Sequence, residues 1–158
     1  MAAPTPTARV TPAGIMLEDG YQSLVTIAAD TNIDFWEKTS QPPGLDGGEP
    51  IPITTMHNVL YRTFVARELI TLTPISFTAA YDPAVYDQIL AVLNVHTTIT
   101  VSFSDGSTIA FYGYLQKFEA AALVEGTQPE ATITIVPTNY DPVNHVEAGP
   151  VVTSVTGT

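Results

Sequence analysis

The sequence predicts a mainly β protein, a sandwich- or barrel-like domain with one flanking α-helix at about residues 83–93 and one long loop. Three observations predict it. Threonine alone supplies 23 of the 158 residues. With valine and isoleucine it makes a chain rich in stiff, β-branched side chains that suit a pleated surface. Apolar and polar residues alternate with period two in several segments bounded by Gly, Pro and Asp turn signals. One stretch alone shows a helical period. A chain of 158 residues fits one domain and is long enough to bury a core.

Residues 22–28 read as a strand after the Asp19-Gly20 turn signal. Residues 33–37 form a short second strand, with Ile33 and Phe35 on one face and Trp36 on the other. Residues 39–50 hold three prolines and three glycines, too many breakers for regular structure. Strands at 59–67 and 69–80 follow. Within the second, Ile70 and Leu72 are apolar before Pro74, and Ile75, Phe77 and Ala79 after it. The parity flips, so a bulge or bend falls at Thr73-Pro74. Asp82 and Pro83 then read as an N-cap and first helical residue. Tyr86, Ile89, Leu90 and Leu93 form an i, i+3, i+4, i+7 stripe that packs on a sheet, and Asn94 is the stop.

The plainest local signal is a hairpin. Ile99, Val101 and Phe103 alternate with Thr98, Thr100 and Ser102. Asp105-Gly106 makes the turn, and Ile109, Phe111, Gly113 and Leu115 return. A last strand spans residues 131–136, ended by Pro137. Residues 1–142 therefore read as a single β domain containing the loop 39–58, and residues 143–158 as an extended C-terminal tail.

Charge excludes some functions. Five basic residues face 16 acidic ones, a net charge of −11. Arg9, Lys38, Arg62, Arg67 and Lys117 are scattered, whereas gripping a phosphate backbone needs clustered cations. Contact with nucleic acid that must not stick is compatible. Charged residues make up 13% of the chain against roughly 25% in ordinary domains. Such a surface is easy to bury against other subunits, because few ions need desolvating. There is no cysteine, hence no disulfide or thiolate chemistry. Residues 1–12 lack the apolar run of a secretory signal, and no stretch is long enough to span a bilayer, so synthesis in the cytoplasm without membrane contact is expected.

No constellation assigns a catalytic, cofactor-binding or metal-ligating residue, and a non-enzymatic role is expected. Neither a Gly-rich phosphate loop nor a G-x-S-x-G elbow occurs. His57, His96 and His145 lack a second ligand at metal spacing. Asp30, Asp34 and Glu37 resemble a carboxylate cluster, but strand parity separates Asp34 from Glu37. Asp46-Gly47-Gly48-Glu49 lacks the alternating ligands of a calcium loop. A Ser-His-Asp triad assembled in space leaves no signature in one line, and nothing here argues for one.

Taken in order, several segments resemble the major tail tube protein of siphophages. They are Phe35-Trp36-Glu37-Lys38-Thr39, the run from Pro42-Pro43-Gly44 through Gly48-Glu49-Pro50-Ile51, Thr54-Thr55-Met56-His57-Asn58, and Tyr61-Arg62-Thr63. Tyr81-Asp82-Pro83, the helix, the hairpin with Asp105-Gly106-Ser107-Thr108, and Glu125-Gly126-Thr127-Gln128-Pro129 through Asp141-Pro142 continue the pattern. The resemblance covers roughly residues 22–142. It implies a structural virion protein, made in the host cytoplasm, whose hexameric rings stack into a hollow tail tube. Part of each sheet would join its neighbours in an inner β-barrel through which DNA is ejected. The implied partners are further copies of the chain, tail-initiation or baseplate and terminator proteins, and the tape-measure protein and DNA in the lumen, held without tight binding.

In this family a long loop reaches the adjoining ring. The candidate is 39–58, centred on Pro42, Pro43, Gly44, Leu45, Asp46, Gly47, Gly48 and Glu49. An acidic lumen would repel phosphate, and Asp34, Glu68 and Glu130 are candidate lumen acids because each lies in or beside an expected strand. The immunoglobulin-like C-terminal module carried by many such proteins is missing, which implies a smooth tube. Two other readings stand beside this one. The first is another virion part of similar fold: a tail terminator, baseplate ring or capsid decoration protein. The second is a carbohydrate-binding β-sandwich, disfavoured by the single tryptophan, Trp36, and the missing signal.

Overall fold

The structure is a computed structural model describing residues 23–28, 33–104 and 106–154. The expected Asp19-Gly20 turn, Gln22, Asp30 and Asp105 lie outside the described residues. In chain order the elements begin with β1 (Leu24–Ile27) and β2 (Ile33–Asp34). Four two-residue strands follow: β3 (Leu45–Asp46), β4 (Ile51–Pro52), β5 (Phe64–Val65) and β6 (Thr71–Leu72). Then come β7 (Ile75–Ala80), a 3-10 turn (Pro83–Val85), α1 (Tyr86–Val92), β8 (Thr97–Ser102), β9 (Thr108–Ala120) and β10 (Glu130–Pro137). The chain finishes with β11 (Tyr140–Asp141), β12 (Val146–Glu147) and β13 (Val151–Thr153). The protein is mainly β with one short α-helix, as expected.

The main sheet is antiparallel in the order β2-β1-β8-β9-β10-β7, with β13 beside the start of β9. Its two edges meet. Immediately after β2, Glu37 bridges Ala79 of β7. Ala80 N–H donates to the Trp36 carbonyl at 2.9 Å, and Lys38 N–H to that of Thr78 at 2.8 Å. Residues 33–39 thus pair with both edges and close the sheet into a small barrel, removing the open ladders that invite aggregation. The Glu37 carboxylate also accepts from Val25 N–H at 2.8 Å, tying the closure to β1.

Period-two alternation fills the interior. Val25, Ile27, Ile99, Val101, Phe111, Leu115, Ile133, Ile135, Ile75 and Phe77 are buried. Their alternates Thr26, Thr100, Thr132, Thr134 and Thr78 are half-buried on the outer face. Each large interior side chain contributes about 1.5–3 kcal/mol. A one-residue slip of any strand would exchange isoleucine for threonine, which fixes the register. Phe35 meets Phe77 edge-on at 5.5 Å, so the closing segment is packed as well as hydrogen-bonded.

Two local devices shape β9. Opposite β10 the register passes from Thr134↔Lys117 to Ile135↔Leu115, leaving Gln116 as an extra, bulged residue. Gly113 faces Pro137, and a Cβ there would lie 2.6 Å from the Val136 carbonyl oxygen. The hairpin turn into β9 uses Gly106 at φ 88°, a conformation that glycine adopts without a Cβ clash.

Several expectations need correction. Residues 59–67 are not one strand; only Phe64 and Val65 pair there. Residues 69–80 divide at Thr73-Pro74 between two sheets, which explains the parity flip, since β6 and β7 answer to different partners. The return strand β9 runs on to Ala120. The segment beyond Pro142 contributes β12 and β13 to sheets, so pairing continues to Thr153.

Asp82 caps the helical segment by accepting from Ala84 N–H at 2.9 Å, with Pro83 opening it. The buried helix face is Ile89 and Val92, with Val85 and Leu93 packed beside them, while Tyr86 and Leu90 are exposed. The tighter 3-10 opening shifts the phase of the stripe. Leu93 leaves the helix in extended conformation to bridge Leu115, and Asn94 follows at φ 60°.

The β11–β12 turn holds a buried acid. Asp141 accepts from the Asn144 side-chain amide at 2.7 Å, from Val143 N–H at 2.8 Å and from Asn144 N–H at 3.2 Å. Chiefly the Asn144 amide, and after it the Val143 N–H, hold its carboxyl below the ordinary aspartate value against the opposing effect of burial. A depressed folded pKa contributes stability that is complete above the unfolded value, about 3.9, and lost as pH falls through the folded value. Thermal melts from pH 7 to pH 3 should therefore show a fall below about pH 4. Asp141→Asn should lower stability at pH 7 and flatten that acid limb. An identical acid limb in both proteins would dismiss the assignment.

Candidate assembly surface

Residues 40–73 leave the barrel as an arm. At its base, Thr73 N–H donates to the Gly44 carbonyl at 2.9 Å, and Gly44 N–H to Thr73 Oγ1 at 3.0 Å. Leu45↔Leu72 and Asp46↔Thr71 pair above it, then Ile51↔Val65 and Pro52↔Phe64. Between the two ladders the chain turns at Asp46–Glu49. Asp46 Oδ1 accepts from Gly48 N–H at 2.8 Å, Gly48 adopts φ 76°, and Arg67 Nε donates to the Glu49 carbonyl at 2.8 Å.

The arm tip is organised by one side chain. Asn58 Oδ1 accepts from Thr55 N–H at 2.9 Å, and its Nδ2 donates to the Tyr61 carbonyl at 2.9 Å. Thr63 N–H donates to Thr54 Oγ1 at 2.9 Å. This network presents Met56, Val59, Leu60 and Tyr61 to solvent. Leu45, Ile51, Ile53, Phe64, Val65, Leu69 and Ile70 are exposed lower on the same arm. So many large apolar residues exposed on one segment mark an interaction site.

The eight residues proposed from sequence, Pro42 to Glu49, form the rising limb of this arm; the structure does not end the excursion at Asn58. The apolar tip was missed, because Val59-Leu60-Tyr61 reads as strand. Its signal was the lack of alternation across three consecutive apolar residues.

The candidate lumen acids lie on different elements. Asp34 belongs to β2, where its backbone pairs with Thr26. Glu68 is exposed on the arm, and Glu130 opens β10. Glu130 is ion-paired with Lys38 at 2.6 Å, and on the same outer sheet face Lys117 pairs with Glu119 at 2.7 Å. That face carries threonines and neutralised pairs. Both pairs are solvent-exposed and contribute at most about 1 kcal/mol each.

At the arm base a cradle of about 510 Å³ is lined by Leu45, Glu68, Leu69, Ile70, Asn139 and Glu147, among others. Two histidines that sequence left apart converge elsewhere. His145 Nδ1 lies 2.7 Å from the Tyr140 hydroxyl, and His96 stacks on Tyr114 with its centroid 6.4 Å from that of Tyr140. Among the described residues no group of three or more His, Asp or Glu is placed to hold a metal ion, and no helix is long and apolar enough to cross a membrane.

No family model matches the chain, and no curated protein matches it in sequence. Solved structures do. A chain of the six-fold-symmetrised cryo-EM structure of the anti-feeding prophage baseplate superposes with TM-score 0.62 at 11% identity, over 94% of this chain and 99% of that one. A chain of the native gene transfer agent virion gives 0.61 at 9% identity, over 87% and 100%. A chain from the tail of the empty gene transfer agent particle, refined helically with C6 symmetry, gives 0.58 at 9%, again over 87% and 100%. The fold is that of proteins in tail and baseplate particles.

Proposed function

We propose that the chain is a structural tail protein whose six-membered rings stack into the tube through which DNA is ejected, consistent with the siphophage-like sequence pattern. One observation carries this reading: a closed barrel projects an arm whose apolar residues, Met56, Val59, Leu60 and Tyr61 at the tip among them, are exposed and packed on no buried core among the described residues. Exposed apolar surface of this kind suits contact with another molecule, and further copies of the chain would supply it. The fold likeness to a six-fold helical tail supports the same reading. The arm, including Pro42 to Glu49, is the contact between successive rings. The outer sheet face forms the channel wall, where Glu130 and Glu119 are held by lysines, so that DNA meets neither free cations nor a steep acidic field. Tail-initiation and terminator proteins would bound the tube, and the tape-measure protein would occupy it.

The likeness to a baseplate chain favours one alternative, a single ring at the tube's end. Electron microscopy of the purified protein, alone and with tail-initiation components, separates the two. Long tubes of uniform width are the expected result. Rings that never stack would favour the baseplate reading, and a monomer under both conditions would end both.

A further inference from the structure

The arm-base cradle differs from the rest of the surface in charge as well as shape. It joins exposed Leu45, Leu69 and Ile70 to two carboxylates, Glu68 and Glu147, neither of which has an ion-pair partner among the described residues. Asn139 also lines it, and its buried Oδ1 accepts no hydrogen bond from the described residues. A buried acceptor left without a donor is unfavourable, and a donor brought by a second molecule would relieve it.

The arm tip carries the complementary set. Arg62 follows Tyr61 within the apolar tip and has no ion-pair partner among the described residues, whereas Lys38 and Lys117 are paired and Arg67 is engaged with Glu49. Two paired ladders and the Arg67 contact with Glu49 lie between the tip and its own base along the arm. A competing groove between α1 and β9 is lined by Lys117 and offers no carboxylate.

We propose that the cradle formed by Leu45, Glu68, Leu69, Ile70, Asn139 and Glu147 receives the arm tip of a second copy of this chain, with Arg62 set between Glu68 and Glu147. The inference rests on the tube reading and names its receptor. Tip and cradle are different surfaces of one subunit, so the contact is heterologous and propagates along a stack instead of closing a dimer. It assigns Glu68 to the contact between rings, away from the channel wall.

The test uses charge reversal in the full chain. Arg62→Glu, and separately Glu68→Arg with Glu147→Arg, should each cut tube yield by about tenfold or more, because like charges then oppose each other at every contact. Melting temperature reports whether each variant folds. The three changes combined should restore tubes. Because the chain lacks cysteine, Tyr61→Cys with Ile70→Cys gives an independent readout, a ladder of disulfide-linked copies under oxidation. Wild-type yield in both reversal variants, or no ladder from tubes that do form, would overturn the cradle and leave the tube reading intact. Failure of the wild-type protein to form tubes with initiation components would remove the tube reading itself.

Discussion

Replacing residues 47–70 with a two-residue Asn-Gly turn should leave a folded barrel that forms no tubes. The deletion joins β3 to β6, and the Asp46↔Thr71 register is already that of a hairpin end, which such a turn closes. None of the buried core residues is removed; Leu72, the buried residue at the base of the arm, is retained. Shortening the loop from residues 47–70 to two residues is between three and four halvings at about 0.6 kcal/mol each, in favour of folding, so the melting temperature should not fall below that of the intact protein. Assembly should fail because the apolar tip and its Asn58 scaffold are gone. Thermal denaturation and electron microscopy of the same sample check the two halves of the prediction. A variant that polymerises with normal yield would show that the rings are held by another surface.

The second large effect concerns stability. Gly113→Val should destabilise the barrel by about 3 kcal/mol, the upper end for an overpacked interior. The new Cβ would stand 2.6 Å from the Val136 carbonyl oxygen, 3.3 Å from Pro137 Cα and 3.2 Å from Ile99 Cδ1. Two of these three atoms are backbone, so no rotamer change relieves the contact. β9 must part from β10 at the Pro137 end of their ladder, which costs the hydrogen bonds there. Urea denaturation should show a lower midpoint with an unchanged slope. An unchanged midpoint would mean that the strands separate at no cost, and the tight approach would then have no structural role.

Strands with strict alternation were legible from sequence. The β8–β9 hairpin and β10 appear where Ile99, Val101, Phe111, Ile133 and Ile135 place them, because a half-buried strand writes its period directly into the chain. The Asp82 cap and the break at Thr73-Pro74 were legible too, since both follow from single-residue chemistry. Barrel closure was not. Nothing in Trp36-Glu37-Lys38 announces that it bonds to Thr78 and Ala80, as such pairings depend on long-range register. The arm was half legible. Its prolines and glycines marked irregular chain, but Val59-Leu60-Tyr61 mimicked a strand because local pattern does not distinguish apolar residues that face a core from those that face another molecule. The cradle gathers residues from 45 to 150 and had no local signature.

The position of β10 has a consequence for how the protein comes into being. It is the last long strand to be synthesised, yet it lies between β9 and β7, pairing with both. Until Glu130–Pro137 has left the ribosome, the edges of β7 and β9 that it joins are unpaired, and Ile133 and Ile135 are missing from the core. Distant pairings of this kind are slow to form, and exposed edges are vulnerable meanwhile. The abundance of threonine and the shortage of long uninterrupted apolar runs then acquire a kinetic meaning. They limit sticking between nascent chains during the interval before the barrel can shut.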